Sequence, residues 1–122
     1  MPMKREEFEK LIAQAVDELP PNIRAHIKNV AFVAEERPPR GQKYLLGLYH
    51  GIPLDSWGRD YGGKLPDVIT IYQEPIERVA GGDTDEIRRV VRDTVWHEVG
   101  HYLGYDDRRL RKLEKKWGKG DN

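Results

Sequence analysis

The segment from Asp83 to Gly104 constrains the fold of this chain most, because its pattern predicts one long helix with a defined start and end. Asp83, followed three residues later by Glu86, is a capping-box pattern, which satisfies N–H groups at a helix N-terminus. Gly104 supplies the left-handed conformation that commonly ends a helix. We therefore predict a helix from about residue 84 to residue 103, roughly 30 Å long and comparable to the diameter of a small domain.

This predicted helix carries two histidines four residues apart, His97 and His101, and Glu98 follows the first of them. Residues four apart lie one turn above each other, so the two imidazoles can bind one tetrahedral zinc ion from the same side. Glu98 lies about 100° around the helix from His97, where its carboxylate can accept a proton from an activated water. The alternative is a pair of ordinary core or surface histidines. The histidines continue the apolar stripe of Ile87 and Val90, which favours a partly shielded metal site.

A third metal ligand is expected shortly after the helix. Gly104 follows His101 by three residues and Asp107 follows it by six. A glycine turn there would allow a downstream side chain to swing back to the same metal. We predict Asp107 as the third ligand and assign Asp106 to capping the next helix or supporting the ligands. Asp106 remains the nearest competitor, and Glu114 is a more distant candidate.

Tyr102 and Tyr105 flank the second histidine, and His50 lies between a predicted strand and a turn. A tyrosine can stabilise an oxyanion, and a loop histidine can help to bind a substrate. For all three side chains we expect packing or surface roles instead.

The rest of the chain alternates short apolar segments with turn-forming residues. A second helix is predicted at 4–19, because apolar residues recur there at helical spacing. The remaining predictions are a helical turn at 22–27, strands at 30–34, 44–49 and 68–72, a loop at 55–66, a connection at 73–82 with at most one helical turn, and a last helix around 110–117. This order predicts a single α+β domain over residues 1–122, with helices on one face of a short three- to four-stranded sheet.

The composition excludes several classes of site and partner. The chain has no cysteine, so any zinc site must use histidines and carboxylates. Lys and Arg together number 21, as do Asp and Glu, so the broad basic surface that binds nucleic acid is not expected. No apolar run is long enough to span a membrane and the N-terminus is not signal-like, so we expect a cytoplasmic protein without a membrane partner. A monomer is the default expectation.

The pattern H-E-x-x-H-x-x-G-x-x-D, from His97 to Asp107, resembles the zincin metallopeptidases. Its third-ligand spacing is similar to that of metzincins, with aspartate in place of the usual third histidine. The chain resembles most the small bacterial family of minimal zincin-like metallopeptidases. That likeness extends to Leu46–Pro53, Pro66–Tyr72 and Asp83–Ile87, and covers roughly residues 5–115. The only methionines are Met1 and Met3, so the methionine turn of metzincins is missing.

The resemblance implies a zincin-like α+β fold with an active-site helix, a zinc ion and Glu98 as general base. The expected function is hydrolysis of peptide bonds in a peptide or an unfolded protein. Two other interpretations stay open. The chain could be a zinc hydrolase of non-peptide amides or esters, or a zinc-binding module without activity. The basic stretch from Arg108 to Lys116 is compatible with such a binding role.

Overall fold

Strands and helices follow the predicted order. The computed structural model describes residues 2–51, 67–106 and 108–112. Its helices are α1 (Arg5–Asp17), α2 (Pro21–Arg24), α3 (Gln73–Ala80) and α4 (Thr84–Tyr102), and its strands are β1 (Val30–Glu35), β2 (Gly47–His50) and β3 (Asp67–Tyr72). Residues 108–112 are again helical. The elements confirm the predicted α+β fold with a short three-stranded sheet.

The three strands form one mixed sheet in the order β1-β3-β2. Strand β1 pairs with β3 in parallel, with Val30 opposite Asp67. Strand β2 pairs with β3 in the antiparallel direction, with Gly47 opposite Ile71 and His50 opposite Val68. Strand β2 therefore lies at one edge of the described sheet, beside the C-terminal half of α4.

The core lies between the sheet and the helices α1 and α4. Apolar side chains of β3, α1 and α4 are completely buried there, among them Ile69, Ile71, Phe8, Val91 and Val95. Burial of one such side chain contributes about 1.5–3 kcal/mol to folding, so this shared core fixes α4 firmly against the sheet. The helix that carries the histidines is thus a central packing element.

Two secondary-structure predictions were inaccurate. The connection after β3 contains the two-turn helix α3 instead of one turn at most. Pro75 is tolerated in the first turn of α3, and Gly81 ends it in a left-handed conformation with φ of 66°. The strand predicted from residue 44 begins at Gly47, because the preceding segment turns with Leu45 N–H donating to the Gln42 carbonyl at 2.9 Å.

The predicted capping box of α4 is half formed. The Asp83 carboxylate accepts from the Glu86 N–H at 3.0 Å, as expected. The Glu86 side chain instead pairs with Arg89, and the Asp83 N–H donates to the Ala80 carbonyl. The predicted loop at 55–66 and the last part of the helix predicted around 110–117 lie outside the described residues.

Within the described ranges, no helix has both the length and the apolar character needed to cross a bilayer.

Candidate metal centre

The last turns of α4 place His97, Glu98 and His101 at one end of the core. After His101 the helix closes in a Schellman arrangement around Gly104, whose φ is 91°. The Gly104 N–H donates to the His101 carbonyl at 2.9 Å, and the Tyr105 N–H donates to the Gly100 carbonyl at 2.9 Å. These bonds satisfy carbonyl groups at the helix end and turn the chain back after the second histidine. The left-handed glycine predicted at residue 104 is confirmed.

The two histidine rings converge through their outer nitrogens. Nε2 of His97 lies 3.2 Å from Nε2 of His101, and the ring planes stand at 77° to each other. Two nitrogens bound to one tetrahedral zinc ion at about 2.05 Å lie about 3.3 Å apart. The observed separation therefore fits a shared zinc ion, although neutral imidazoles can also share a hydrogen bond at this distance. Both rings are half-buried, which leaves the facing nitrogens accessible from the cleft.

Glu98 lies beside the two histidines and is buried, with 8% of its surface exposed. One carboxylate oxygen and one nitrogen from each histidine all lie within 4.8 Å of one another. The Tyr49 N–H of β2 donates to Oε1 of Glu98 at 2.9 Å. A buried carboxylate requires such donors to remain charged. The group His97, Glu98 and His101 can therefore hold a metal ion, and its donor set of imidazole and carboxylate suits zinc.

Strand β2 passes very close to α4, and this close approach depends on Gly47. A Cβ atom at Gly47 would lie 2.7 Å from Cγ2 of Thr94 and 3.2 Å from Cγ of Glu98. Glycine is therefore required for the strand to reach the helix at this point. The result is that the backbone of Tyr49 comes within hydrogen-bond distance of Glu98.

A cleft of about 560 Å³ opens between β2 and the C-terminal end of α4. Residues of β2 and the three motif residues of α4 line this cleft together. It is lined by Leu45, Gly47, Leu48, Tyr49, His97, Glu98, His101, Gly104, Tyr105 and Asp106. The cleft thus gives a ligand access to the histidine nitrogens alongside an edge strand.

Asp107, predicted as the third ligand, lies outside the described residues, as does Glu114. Asp106 lines the cleft and caps the helical segment 108–112, because its Oδ1 accepts from the Arg109 N–H at 2.8 Å. Leu110 of that segment is fully buried and packs directly against Gly100. The segment 108–112 is thereby held against the last turns of α4. The capping role predicted for Asp106 is confirmed.

The two tyrosines that flank His101 differ in their surroundings. Tyr102 is buried, and its hydroxyl donates to the Lys28 carbonyl at 3.1 Å, so its role is packing as predicted. Tyr105 lines the cleft, with the Arg109 guanidinium 4.4 Å from its ring centroid. His50 is exposed at the end of β2 and does not line the cleft.

Sequence reasoning missed Gly47 and Tyr49 as contributors to the site. A signal for Gly47 was present, since a glycine inside a strand often marks a close backbone approach. Tyr49 gave no such signal, because it acts through its backbone N–H on a residue 49 positions away. Burial raises the pKa of the Tyr49 hydroxyl, and its hydrogen bond to Asp67 adds to the rise.

The chain is similar to a known protein family and to a solved structure. A family model described as zincin-like metallopeptidase matches residues 27–117, which include the sheet and the whole of α4. Among solved structures, a conserved hypothetical protein from T. thermophilus is similar, with a TM-score of 0.57 and 27% identity. That likeness covers 83% of this chain and 94% of the other. The search of curated proteins found no match.

Proposed function

The chain belongs to the zincin-like metallopeptidase family, and from that premise we propose that it is a zinc-dependent peptidase with Glu98 as general base. The observation that carries this proposal is the 3.2 Å separation of the His97 and His101 Nε2 atoms beside a buried carboxylate. His97, His101 and Asp107 would hold the metal. When bound there, zinc would polarise a carbonyl group and lower the pKa of a water molecule.

Glu98 supplies the proton transfer in this proposal. The Tyr49 N–H holds its Oε1 at 2.9 Å, so the carboxylate has a fixed orientation beside the histidines. In that position the carboxylate takes a proton from the attacking water and passes it to the nitrogen of the leaving amine. Glu98 is buried, and burial strengthens such electrostatic interactions because less water competes for the carboxylate.

Asp107 is proposed as the third ligand on the basis of its neighbours. Asp106 lines the same cleft as the histidines but uses Oδ1 as the cap of the following helical segment. That engagement disfavours Asp106 as a ligand. Three protein ligands would leave one position of a tetrahedral ion open, which a catalytic site requires.

The substrate proposed is an extended segment of a peptide or an unfolded protein, bound along β2. The Tyr72 N–H donates to the Leu46 carbonyl at 2.9 Å, and Leu48 is paired with Thr70. In an antiparallel pair, alternate residues direct their backbone groups to the neighbouring strand. Gly47 and Tyr49 therefore direct theirs to the outer edge. Because the Tyr49 N–H donates to Glu98, a peptide there would pair with the Tyr49 carbonyl and the backbone groups of Gly47. An extended peptide can add to such an edge as a further strand.

The test is digestion of a denatured protein and a peptide library by the zinc-loaded chain, followed by mass spectrometry of the products. Glu98→Gln is the matched control. The glutamine oxygen can still accept from the Tyr49 N–H, but the amide cannot take up the proton. The proposal predicts new peptide termini with the wild-type chain, and none with this variant at equal zinc content.

Two results would overturn the proposed activity. Hydrolysis confined to a panel of non-peptide amides and esters would identify a different hydrolase. Zinc binding with no hydrolysis of either panel would identify a binding module.

A further inference from the structure

We propose that Tyr49 is a positioning residue, whose side chain is anchored on Asp67 so that its backbone N–H orients the Glu98 carboxylate. This inference rests on the proposed function, because it assigns Glu98 the role of general base. Tyr49 lies in β2, across the cleft from the histidines, and it links a contact made by its hydroxyl to one made by its backbone N–H.

Tyr49 makes a hydrogen bond at each end. Its N–H donates to Oε1 of Glu98 at 2.9 Å. Its hydroxyl donates to Oδ2 of Asp67 at 2.8 Å. A displacement of the ring therefore moves the same residue whose N–H meets the carboxylate.

The strand that carries Tyr49 needs such an anchor. Strand β2 has four residues and lies at an edge of the described sheet, paired with β3. A short edge strand gains few backbone hydrogen bonds, so its distance from α4 depends on side-chain contacts. The contact with Glu98 needs that distance to be kept within a few tenths of an ångström, because hydrogen bonds weaken steeply when they lengthen.

Asp67 is a well-fixed anchor. It is the first residue of β3, opposite Val30 of β1, and its N–H donates to the Asn29 carbonyl at 3.0 Å. The backbone of Gly51 lies against its side chain, since a Cβ atom there would be 2.5 Å from the Asp67 carboxylate carbon. The acceptor of the Tyr49 hydroxyl is therefore held by both β1 and β3.

The Tyr49 ring is also held against α4. It meets the Tyr102 ring edge to face, with 5.9 Å between ring centroids and 76° between planes. Tyr102 follows His101 in α4, and its hydroxyl is fixed by the backbone of Lys28. Tyr49 thus joins the edge strand to the helical turn that carries the second histidine and to the start of β3.

The central experiment compares steady-state peptide hydrolysis by the wild-type chain, Tyr49→Phe and Asp67→Ala, all loaded with zinc. Tyr49→Phe keeps the ring and the backbone N–H but removes the anchor. We expect kcat to fall by about 10- to 100-fold, the range for a catalytic group displaced by up to about 1 Å. Zinc content should change little, since the histidines are intact, and the fall in kcat should exceed any change in KM.

Three variants separate positioning from general stability. Asp67→Asn retains an acceptor oxygen and should restore most of the kcat lost in Asp67→Ala. The double variant of Tyr49→Phe and Asp67→Ala should be no slower than either single variant, because both remove one interaction. Gln73→Met removes the hydrogen bonds of the buried Gln73 side chain to Met3 and Glu77, away from the cleft. It should lower stability without lowering kcat.

A second readout does not depend on activity. In ¹H–¹⁵N spectra of the zinc-loaded chain, the amide proton of residue 49 should resonate downfield, because it donates to a carboxylate. Glu98→Ala should remove that shift, and Tyr49→Phe should reduce it. If the wild-type chain cleaves no peptide, the proposed function fails. The amide shift alone then tests whether the Asp67 contact positions the Tyr49 N–H on Glu98. An unchanged amide shift in Tyr49→Phe, or an unchanged kcat, overturns the proposal.

Discussion

The side chain of Leu110 lies directly against the backbone of Gly100, one residue before His101. Leu110 is fully buried and belongs to the helical segment 108–112 that Asp106 caps. A β-carbon at Gly100 would overlap Leu110. The absence of a side chain at residue 100 therefore lets the segment 108–112 pack against the turn of α4 that carries the histidines.

The substitution Gly100→Ala should weaken both folding and zinc binding. The added methyl must displace Leu110, and overpacking of this kind costs about 1–3 kcal/mol. The displaced segment adjoins Asp107, so zinc affinity should fall as well. Urea denaturation and competition with a zinc chelator would measure the two effects. Asp85→Ala, at an exposed position of the same helix, is the control. If Gly100→Ala matches it in both measurements, the packing of Leu110 on Gly100 does not support the metal site.

The substitution Gly47→Ala should separate β2 from α4. Its methyl would lie 2.7 Å from Cγ2 of Thr94, so the strand must move away and lengthen the Tyr49 contact with Glu98. We expect a loss of about 1–3 kcal/mol in the free energy of unfolding, together with a lower kcat. Urea denaturation and peptide hydrolysis would measure the loss.

A compensating change makes this prediction sharper. Thr94→Ser removes the Cγ2 methyl but keeps the hydroxyl that donates to the Val90 carbonyl at 2.7 Å. Added to Gly47→Ala, it should recover part of the stability and of the activity. No recovery in the double variant would mean that contact between these two residues does not set the position of the strand.

The raised pKa of Tyr49 predicts a specific sensitivity to alkali. The pKa of the tyrosine phenol in an unfolded chain is about 10. In the folded chain, burial and the Asp67 hydrogen bond keep the Tyr49 hydroxyl protonated to higher pH. Its contribution to stability is complete below pH about 10 and is lost as pH rises further, because the unfolded state releases its proton first.

The free energy of unfolding should therefore fall less steeply above pH about 10 in Tyr49→Phe than in the wild-type chain. Denaturation curves at several alkaline pH values would measure the two slopes. Other groups that ionise in this range, including Tyr72, are common to both proteins and cancel in the difference. Equal pH dependence of the free energy of unfolding in the two proteins would show that folding does not raise the pKa of the Tyr49 hydroxyl.

Zinc should stabilise the folded chain. An ion that binds the folded state adds about 2.7 kcal/mol at a concentration roughly 100 times its Kd. The melting temperature of the metal-stripped chain should thus rise when zinc is added. His97→Ala should abolish most of this rise, whereas His26→Ala, which removes an exposed histidine on the Asn22 carbonyl, should leave it unchanged. Equal rises in melting temperature in both variants would mean that zinc binds at a site without His97.

The sequence predicted the parts of the site that depend on local geometry. Asp83 caps the start of α4 and Gly104 ends the helix in a left-handed conformation. The four-residue spacing places His97 and His101 on adjacent turns. Each of these features depends on geometry and hydrogen bonds within one helix and its two ends. For that reason the motif and its helix could be predicted without knowledge of the remaining chain.

The parts that the sequence did not predict depend on contacts between distant segments. Tyr49 contacts Glu98 through its backbone N–H, which almost every residue type has, so the residue type at position 49 does not predict this contact. The length of α3 was underestimated, because its first turn contains Pro75 and its apolar pattern is short. Strand β2 is shorter than its apolar run, since the turn from Gln42 to Leu45 takes up the start of that run.

The central claim is that His97 and His101 hold one zinc ion, and the zinc content of purified chains tests it most directly. Wild-type chain, Glu98→Gln and His101→Ala would each be loaded with zinc, dialysed and measured by elemental mass spectrometry. We expect one zinc ion per chain in the first two proteins and almost none in His101→Ala. Full zinc content in His101→Ala, or no retained zinc in the wild-type chain, would contradict this claim.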